Sequence, residues 1–389
     1  MIGVDEARLR MLEAVMPLGA ECVGIWVVEP GRVLARDIVA RRDQPPFDVS
    51  AMDGWAVRRE DLPGALTIVG QSAAGAPFGG VLGIGQTVRI FTGAHIPQGA
   101  DAVVVQEEAS MSGPNVWIEG VAKAAANIRT RGNDFRGGEV VLRAGQSLDA
   151  WGVALAAAAG AGELWLARSP RVALVACGDE LVCAGEAAGP HQIHDSITPA
   201  LAMRVRRWGG QPGVTLLADS LDAVRNDIGA CEADLIVTVG GASVGDRDLS
   251  KAALAELGAE LLVNKVAVRP GKPVFFARLP DGRKVLGLPG NPASAMVCAE
   301  LFLWPLLRAM QGGDPRRARE HLPSSSTLAA NGPREHWMRA RIGSDGVSAF
   351  PDQDSSLVSV LAGSNALIRR LPGDPAIEVG EKVEVLRLE

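Results

Sequence analysis

The stretch 240–248 combines three glycines with acidic residues in the sequence GGASVGDRD. It follows the apolar run Leu235–Val239 and precedes a helical pattern that begins at Leu249. Glycines between a buried strand and a helix let the backbone approach a ligand and point free N–H groups at an anion. The stretch therefore predicts a phosphate site, and Asp248 at its end indicates a metal ion beside the phosphate. Asp248 could instead be only the N-cap of the next helix, a role that aspartate often fills.

Four other apolar runs between residues 171 and 292 also end in glycines, carboxylates or cations. Helical patterns alternate with the runs, which predicts a mostly parallel, doubly wound α/β sheet. The ligand of such a sheet lies at the carboxyl ends of its strands, so the segments after the runs are expected to meet at one edge. The runs and segments are Val172–Ala176 with Cys177–Glu180, Val214–Ala218 with Asp219, Leu261–Val268 with Arg269–Pro273, and Val285–Leu288 with Pro289–Pro292.

The charges of these segments restrict the ligand. Several carboxylates in one cleft repel each other and repel a phosphate. A divalent cation removes this conflict, and oxygen ligands favour Mg²⁺ over zinc. Lys265, Arg269 and Lys272 would add positive charge from the protein. Ordinary turns and helix N-caps at the same positions are the structural alternative.

The composition is that of a soluble globular protein with several domains, since the chain has 389 residues, of which 47% are hydrophobic and 22% charged. A net charge of −6 argues against general nucleic-acid binding. Charged residues among the first twenty argue against a signal peptide. The most apolar window, Trp151–Leu166, is short and interrupted by glycines, so we expect a buried helix and no membrane span. Five cysteines without a CxxC pair argue against a disulfide framework and favour a reducing cytoplasm.

The pattern of elements changes along the chain. Residues 42–137 contain short β-type runs separated by turn residues, which predicts a β-rich module. Residues 1–41 and 138–168 flank this module and are expected to form one discontinuous linking domain of mixed α and β structure. The α/β domain is expected at 169–316, and a small β-barrel-like domain at 317–389.

Polar residues also cluster in the β-rich module. Asp53 precedes Gly54, and Asp-Gly is a common hairpin signal. Thr92 follows a second β-type run, and the stretch Asn127–Asp134 contains Arg129. By themselves these residues are typical of polar turns, so physical reasoning leaves their function open.

Taken together, seven segments resemble the MoeA family, the molybdopterin molybdenumtransferases, in the order of the family's motifs. The resemblance implies an enzyme of the last step of molybdenum cofactor synthesis, which inserts molybdate into adenylylated molybdopterin while Mg²⁺-assisted cleavage releases AMP. It also implies a cytoplasmic homodimer with four domains per chain, in which the linking domain contributes to dimerisation. The active cleft would lie between the α/β domain of one subunit and the β-rich module of the other. The seven segments are Ser50–Val57, Arg89–Glu107, Asn127–Asp134, Val172–Leu181, Gly240–Asp248, Pro270–Pro273 and Gly287–Pro292.

The resemblance assigns roles to residues at matching positions. Five acidic residues would organise the reaction, and the last three would hold Mg²⁺: Asp53, Asp134, Glu180, Asp219 and Asp248. Phosphate and molybdate would be bound by the cations Arg129, Lys265, Arg269 and Lys272 and by the loop residues Gly240, Gly241, Ser243 and Gly245. The other substrate contacts would be Thr92, Pro289, Pro292 and Ser355, of which Ser355 matches a serine near molybdate.

Some positions depart from the family pattern. Cys177 and Arg269 stand where the family has threonine and lysine, and Val49 and Ile197 stand where it has asparagine. Arg269 keeps the charge but offers a planar fork. Cys177 could be a thiol nucleophile, but no base is visibly paired with it, so a small buried replacement is favoured. The histidines in His191–Asp195 favour a loop near the phosphate end of the site over a metal cluster.

Two other functions fit parts of the sequence. A molybdopterin carrier or scaffold on the same fold would need the phosphate loop but not all five acidic residues. A molybdopterin adenylyltransferase of the preceding step would share the glycine loop, but the β-rich and C-terminal modules argue against it. The complete acidic set therefore favours the molybdenumtransferase.

Overall fold

The computed structural model describes residues 1–240 and 249–388. These residues divide into two compact units. The first comprises Met1–Arg36, Ala144–Ala150 and Leu164–Glu389, and the second comprises Asp37–Arg143 and Trp151–Glu163. Four residues assigned to the glycine loop lie outside the described residues: Gly241, Ser243, Gly245 and Asp248.

The N-terminal 168 residues contain two α-helices and twelve strands. The helices are α1 (Val4–Glu13) and α2 (Ala150–Ala158). The strands are β1 (Ala20–Gly24), β2 (Ile38–Val39), β3 (Val49–Ser50), β4 (Gly54–Val57), β5 (Gly64–Ser72), β6 (Gln86–Ile90), β7 (Ala102–Val105), β8 (Ala109–Ser112), β9 (Asn115–Ile118), β10 (Ile128–Arg129), β11 (Val140–Leu142) and β12 (Glu163–Ala167).

The second unit is built on a six-stranded sheet in the order β7-β4-β6-β5-β9-β8. Strands β5 and β6 are parallel, and the other neighbours are antiparallel. Side chains alternate between the two faces of a strand. Accordingly Trp55 and Val57 pack into one apolar cluster and Ala56 packs into another. The predicted β-rich module is confirmed as a sheet with a core on each face.

The α/β part of the first unit follows β12. Its strands are β13 (Arg171–Cys177), β14 (Leu181–Val182), β15 (Ile193–His194), β16 (Gln211–Leu217), β17 (Leu235–Val239), β18 (Glu260–Val263), β19 (Val268–Arg269), β20 (Phe275–Arg278) and β21 (Lys284–Leu288). Its α-helices are α3 (Ile197–Arg207), α4 (Leu221–Ala230), α5 (Leu249–Glu256), α6 (Pro292–Cys298) and α7 (Trp304–Met310), with a π-helical turn at Ala299–Leu303.

The central sheet has the order β16-β13-β17-β21-β20-β18, and its first four strands are parallel. Helices cover both faces because successive side chains of the strands point in opposite directions. On β13, Leu174 packs with residues of α3, α6 and α7, while Val175 packs with residues of α4 and α5. The predicted doubly wound, mostly parallel sheet is therefore confirmed.

The single strand expected at Leu261–Val268 is wrong. Pairing in the central sheet ends at Val263, and β19 pairs instead with a strand of the C-terminal sheet. Strand β20, which the sequence pattern missed, lies between β18 and β21 and is antiparallel to both. The run is continuous in sequence because Val266 and Val268 are also buried, although neither belongs to the central sheet.

The C-terminal part of the first unit is a curled sheet. Its elements are β22 (Glu320–Pro323), β23 (Glu335–Gly343), β24 (Gly346–Ala349), α8 (Val358–Gly363), β25 (Ala366–Arg370) and β26 (Lys382–Arg387). The strand order is β19-β23-β25-β26-β22, and β24 pairs with the other side of β23. The main-chain N–H of Ser325 donates to the Val347 carbonyl at 2.9 Å, which links the end of β22 to β24. This link gives the barrel-like closure expected from the sequence.

Two apolar segments differ in their burial. The helix expected to be buried within Trp151–Leu166 ends at Ala158, and Trp151 is 82% exposed. The expectation of burial is wrong for this helix, in which Ala156 is the one buried residue. An alanine side chain is a single methyl group, so an alanine-rich helix gains little free energy from burial despite its apolar composition. Within the described residues, the helical stretch Pro292–Met310 is long and apolar enough to cross a membrane, and 83% of its most apolar window is buried inside the protein.

Candidate active site

Three loops meet at the carboxyl edge of the parallel strands. Gly240 follows β17 with a φ of +82°, which glycine adopts without strain. A Cβ atom on Gly240 would lie 2.7 Å from the Cys177 carbonyl oxygen, and one on Gly290 would lie 3.3 Å from the Gly240 Cα. Larger side chains at these positions would push the loops apart. The structure thus brings together the ends of β13, β17 and β21.

A small cleft of about 90 Å³ lies at this edge. Its lining brings together Glu180, Gly240 and Pro292, which the sequence assigned to the site. Pro289 directly follows β21 and is buried at the start of the loop that leads to Pro292. The cleft therefore combines a carboxylate with closely approaching backbone.

Asp195 also lines the cleft, although its place in the sequence predicts no separate role for it. Its Oδ1 accepts hydrogen bonds from the N–H groups of Ile197 at 3.0 Å and Thr198 at 3.1 Å, and the Thr198 hydroxyl donates to Oδ2. These are the contacts of a carboxylate that caps a helix N-terminus. Asp195 therefore positions α3 at the cleft. The Asp-x-x-Thr spacing in the sequence is a signal from which its contact with Thr198 could have been inferred.

Asp219 is held in the loop after β16. Its N–H donates to Asp179 Oδ1 at 2.9 Å, which joins this loop to the one after β13. Ser220 is the N-cap of α4 and accepts from the Ala223 N–H at 3.4 Å. The alternative in which Asp219 caps this helix is therefore wrong. Asp179 positions this loop through a contact with Asp219, which is 40 residues away in the chain, so no local sequence pattern could predict its role.

Glu180 and Asp219 are exposed carboxylates at this edge, and oxygen donors of this kind suit Mg²⁺. Among the residues that the structure describes, no group of three or more His, Cys, Asp or Glu side chains could hold a metal ion. The third assigned ligand, Asp248, lies outside those residues. The described pair fits a hard cation chemically but is not a complete ligand set.

A larger groove of about 700 Å³ lies beside the C-terminal sheet, and we call it the basic groove. Its lining includes Arg269, Lys272 and Ser355, three residues assigned to substrate binding. The Asn291 Nδ2 donates to Ser355 Oγ at 3.1 Å, and the Ala293 N–H donates to the Ser355 carbonyl at 2.9 Å. The loop after β21 therefore connects the basic groove to the cleft.

Lys265 is placed differently from the other assigned cations. It is not among the described residues that line the cleft or the basic groove. Its carbonyl accepts a hydrogen bond from the Ile2 N–H at 3.3 Å, beyond the end of β18. Its role in anion binding stays a prediction.

Asp53 and Thr92 form a pair in the second unit. The N–H and the hydroxyl of Thr92 each donate to Asp53 Oδ1 at 2.8 Å. These two hydrogen bonds, with the N–H contributing most, hold the pKa of the exposed Asp53 carboxyl below its ordinary value. The hairpin alternative for Asp53-Gly54 is wrong, because β3 and β4 each pair with other strands.

Arg129 and Asp134 lie near this pair in the same unit. Arg129 on β10 is opposite Val49 on β3, and the Asp134 N–H donates to the Gln44 carbonyl at 2.9 Å. The main chain of Ser50 on β3 exchanges hydrogen bonds with the loop after Thr92, through Gly93 and Ala94 at 2.8 and 2.9 Å. Strand β3 therefore links Arg129 to the loop that holds Asp53 and Thr92, whereas Asp134 is held by the main chain of Gln44.

The thiol of Cys177 is not suited to nucleophilic attack. Cys177 is 4% exposed, and burial, with smaller effects of Asp219 and Asp227, raises its pKa to about 12. The reactive form of cysteine is the thiolate. Cys177 is therefore a small buried residue at the end of β13, as the sequence favoured.

Family models match nearly all of this chain. The MoeA N-terminal region (domain I and II) matches residues 2–160, a probable molybdopterin binding domain matches 173–309, and the MoeA C-terminal region (domain IV) matches 322–388. The chain belongs to the MoeA family. The three matches include both units and every assigned residue of the site.

Named relatives resemble this MoeA-family chain over most of its length. A molybdopterin molybdenumtransferase from Nostoc sp. is 35% identical over 389 residues, which cover 95% of this chain and 88% of the relative. A molybdopterin molybdenumtransferase from Haemophilus influenzae is 35% identical over 335 residues, which cover 84% of this chain and 82% of the relative.

Solved structures of MoeA proteins have the same fold. The crystal structure of a molybdopterin biosynthesis MoeA protein from Pyrococcus horikoshii has a TM-score of 0.82 at 25% identity, with 99% of both chains covered. A second structure of this kind from the same species has a TM-score of 0.78 at 27% identity and covers 100% of this chain and 99% of its own.

Proposed function

We propose that this MoeA-family chain is a molybdopterin molybdenumtransferase, which transfers molybdenum from molybdate to molybdopterin. The observation that carries the proposal is the match to relatives named for this activity, at 35% identity over up to 95% of the chain. The cleft and the basic groove, joined by one loop, give the activity a plausible geometry in the first unit.

The reaction brings two anionic groups into one site, the phosphate of the pterin and the molybdate, whose metal is transferred to the pterin dithiolene. The cleft offers close-approaching backbone at Gly240 for the phosphate, and the basic groove offers Arg269 and Lys272 for the oxyanion. Separate cationic and backbone sites reduce the repulsion between the two anions. The hydrogen bond from Asn291 to Ser355 joins the loop after β21 to the basic groove.

We infer further that the substrate is adenylylated molybdopterin and that AMP is released when an oxygen of water or molybdate attacks phosphorus and the pyrophosphate bond breaks. Glu180, Asp219 and Asp248 would hold Mg²⁺, which when bound offsets negative charge at the phosphates. Asp179 contributes by holding the main chain of Asp219 in place. The support is the oxygen chemistry of the two described carboxylates and their shared position at the sheet edge.

We also infer that the working form is a cytoplasmic homodimer with a site shared between subunits. Asp53, Thr92, Arg129 and Asp134 would enter the site from the second unit of a partner chain. The proposal rests on the family resemblance and on the linkage of Arg129, Asp53 and Thr92 through β3.

The test is AMP release by the purified protein with adenylylated molybdopterin, Mg²⁺ and molybdate. We expect release to depend on molybdate and to fall by about tenfold or more in Asp219→Asn, because loss of metal-site groups has effects of this size. Asp222→Asn is the matched control, since Asp222 is exposed on α4 and pairs with Arg225. AMP release that ignores molybdate would contradict the proposal, and substrate binding without any AMP release would indicate a carrier.

A further inference from the structure

His336 belongs to a row of basic side chains across three strands of the C-terminal sheet. On β23 it is directly opposite Arg269 of β19 and Arg370 of β25. Directly opposite residues of neighbouring strands share one face of a sheet. All three residues line the basic groove, and His336 is 7% exposed. The environment of its imidazole is therefore set by these neighbours.

Burial and arginine charge disfavour the protonated form of His336. Burial is the largest effect, and Arg269, Arg339, Arg334 and Arg370 add to it, so the pKa of His336 falls to about 4. The imidazole is consequently neutral at physiological pH. In this state it can donate or accept one hydrogen bond without adding charge to the groove.

The carboxylates of the basic groove are held by local hydrogen bonds. Asp354 accepts from the N–H of Ser356 at 2.8 Å and from its hydroxyl at 2.6 Å, and Asp352 accepts from the Asp354 N–H at 2.8 Å. Asp374, outside the lining, is 3.5 Å from Arg370 Nε. The lining has more cations than carboxylates: Arg269, Lys272, Arg334 and Arg370 against Asp352 and Asp354.

Two of these cations are available to a ligand. Arg269 and Lys272 form no ion pair with a carboxylate among the described residues. Arg370 and Arg334, by contrast, donate to main-chain carbonyls, at 3.3 Å to Ala329 and 3.4 Å to Val268. A surplus of positive charge next to a neutral imidazole is suited to a small anion with two negative charges.

We propose that His336 is a proton-linked ligand for a tetrahedral dianion in the basic groove: it is neutral in the free protein and becomes protonated when the dianion binds. The inference rests on the proposed function, which places an oxyanion in this groove. The dianion offsets the arginine charges that oppose the imidazolium, so a proton from solvent joins the ring. The imidazolium then donates a charge-assisted hydrogen bond to the anion.

This linkage fixes the direction of the pH dependence. The complex holds one proton more than the separated protein and anion, so affinity rises as the pH falls. The increase is at most about tenfold per pH unit. It operates between the pKa of His336 in the complex and its value of about 4 in the free protein. A site made only of arginine, lysine and serine would bind the same anion without this dependence near neutral pH.

The test is calorimetric titration of the full chain with sodium molybdate between about pH 6 and 8, in buffers with different ionisation heats. We expect proton uptake on binding and weaker binding at higher pH. Both effects should be absent in His336→Gln, which keeps a polar side chain but does not titrate. His321→Gln is the matched control, because His321 is exposed on β22 and does not line the groove. Binding without proton uptake, equal uptake in His336→Gln, or no binding would overturn the inference.

Molybdate and the phosphate of the pterin are two sources of a tetrahedral dianion. A competition titration with inorganic phosphate distinguishes them. If phosphate displaces molybdate and its binding shows the same His336-dependent proton uptake, the groove binds tetrahedral dianions in general. Failure of phosphate to compete assigns the groove to molybdate. The competition therefore decides which dianion the groove takes, and the role of His336 is decided by the proton uptake measured with molybdate.

A second measurement on the unmodified chain does not depend on the folding of a variant. Imidazole ¹⁵N shifts should show His336 neutral in the free protein and charged with saturating molybdate at about pH 6.5. A ring that stays neutral in both states contradicts the inference. If the protein releases AMP but binds molybdate without taking up a proton, the role of His336 is contradicted and the proposed function stands. If binding is proton-linked but no AMP is released, the proposed function is contradicted and the role of His336 stands.

Discussion

At the scale of single residues, Asp53 shows how an exposed carboxylate can be held in one place. Both donors of Thr92 bind the same oxygen, Oδ1, at 2.8 Å. Because they favour the ionised form, the folded-state pKa of Asp53 lies below its unfolded value. The associated stabilisation is present above the unfolded pKa and is lost as the pH falls through the folded pKa.

Replacement of Thr92 tests this arrangement. In Thr92→Val the N–H donor stays and the hydroxyl donor is lost, so the pKa of Asp53 should rise toward its ordinary value. Thr92→Ser keeps the hydroxyl and should keep the low pKa. The measurement is an NMR titration of the Asp53 carboxyl carbon, and an unchanged pKa in Thr92→Val would contradict the assigned contact.

His336 is a candidate site residue that could not be predicted from the sequence. Asp53, Glu180 and Asp219 could be selected because each lies beside a glycine or at the end of an apolar run. His336 lies inside the strand β23, where a lone histidine has no distinguishing pattern. Its relation to Arg269 depends on the register of two strands that are far apart in the chain.

At the scale of elements, the position of α3 depends on one buried carboxylate. Asp195 receives the first two N–H groups of the helix and lines the cleft. The other functional loops are held in a similar way, by contacts such as that from Asp219 to Asp179. Hydrogen bonds from helices and loops to carboxylates thus shape this edge of the sheet.

Removal of the Asp195 cap should destabilise the first unit. We expect Asp195→Ala to lower the free energy of unfolding by about 1–2 kcal/mol, the usual cost of losing an N-cap. Asp222→Ala is the control, because Asp222 lies in the first turn of α4 but is exposed and, among the described residues, pairs with Arg225 alone. Denaturant unfolding measures both variants, and equal losses would contradict the capping role.

Most elements of the α/β part followed from the sequence, because apolar strand runs and amphipathic helices have different periods. The segment after β18 did not. Val266 and Val268 extend the apolar run and pack in the same core as central-sheet residues, although neither belongs to a strand of that sheet, and the short strand β20 has no period of its own. A buried segment that continues past the end of a strand therefore looks the same in sequence as a longer strand.

At the scale of the whole molecule, the assigned residues divide between the two units. Glu180, Asp219 and Ser355 belong to the first, and Asp53 and Arg129 belong to the second. The sequence predicts this division of the assigned residues, because a β-rich module and an α/β domain have different patterns. It does not show how the linking segments 1–41 and 138–168 divide between the two units, because they have no marked composition. Under the proposed function, both sets act in one site that two subunits share.

Mixed dimers test the shared site. Asp53→Ala and Asp219→Ala chains should each lose AMP release, because each lacks one side of both sites. Dimers formed from the two variants should recover part of the activity, because one of their two sites is intact. Each mixed dimer should recover at most about half of the rate of a wild-type dimer, which has two intact sites. Recovery in the mixture with none in either parent supports a shared site, whereas no recovery in verified mixed dimers indicates a site within one chain.

The proposed activity can be measured as molybdenum transfer itself. Purified protein is incubated with adenylylated molybdopterin, molybdate and Mg²⁺, and the product is measured both as pterin-bound molybdenum and by activation of an apo-molybdoenzyme. We predict that both signals require the protein and fall together in Asp219→Asn. The proposed molybdenumtransferase activity would be contradicted if pterin-bound molybdenum formed equally fast without the protein. It would also be contradicted if the protein yielded no cofactor that activates the apo-enzyme.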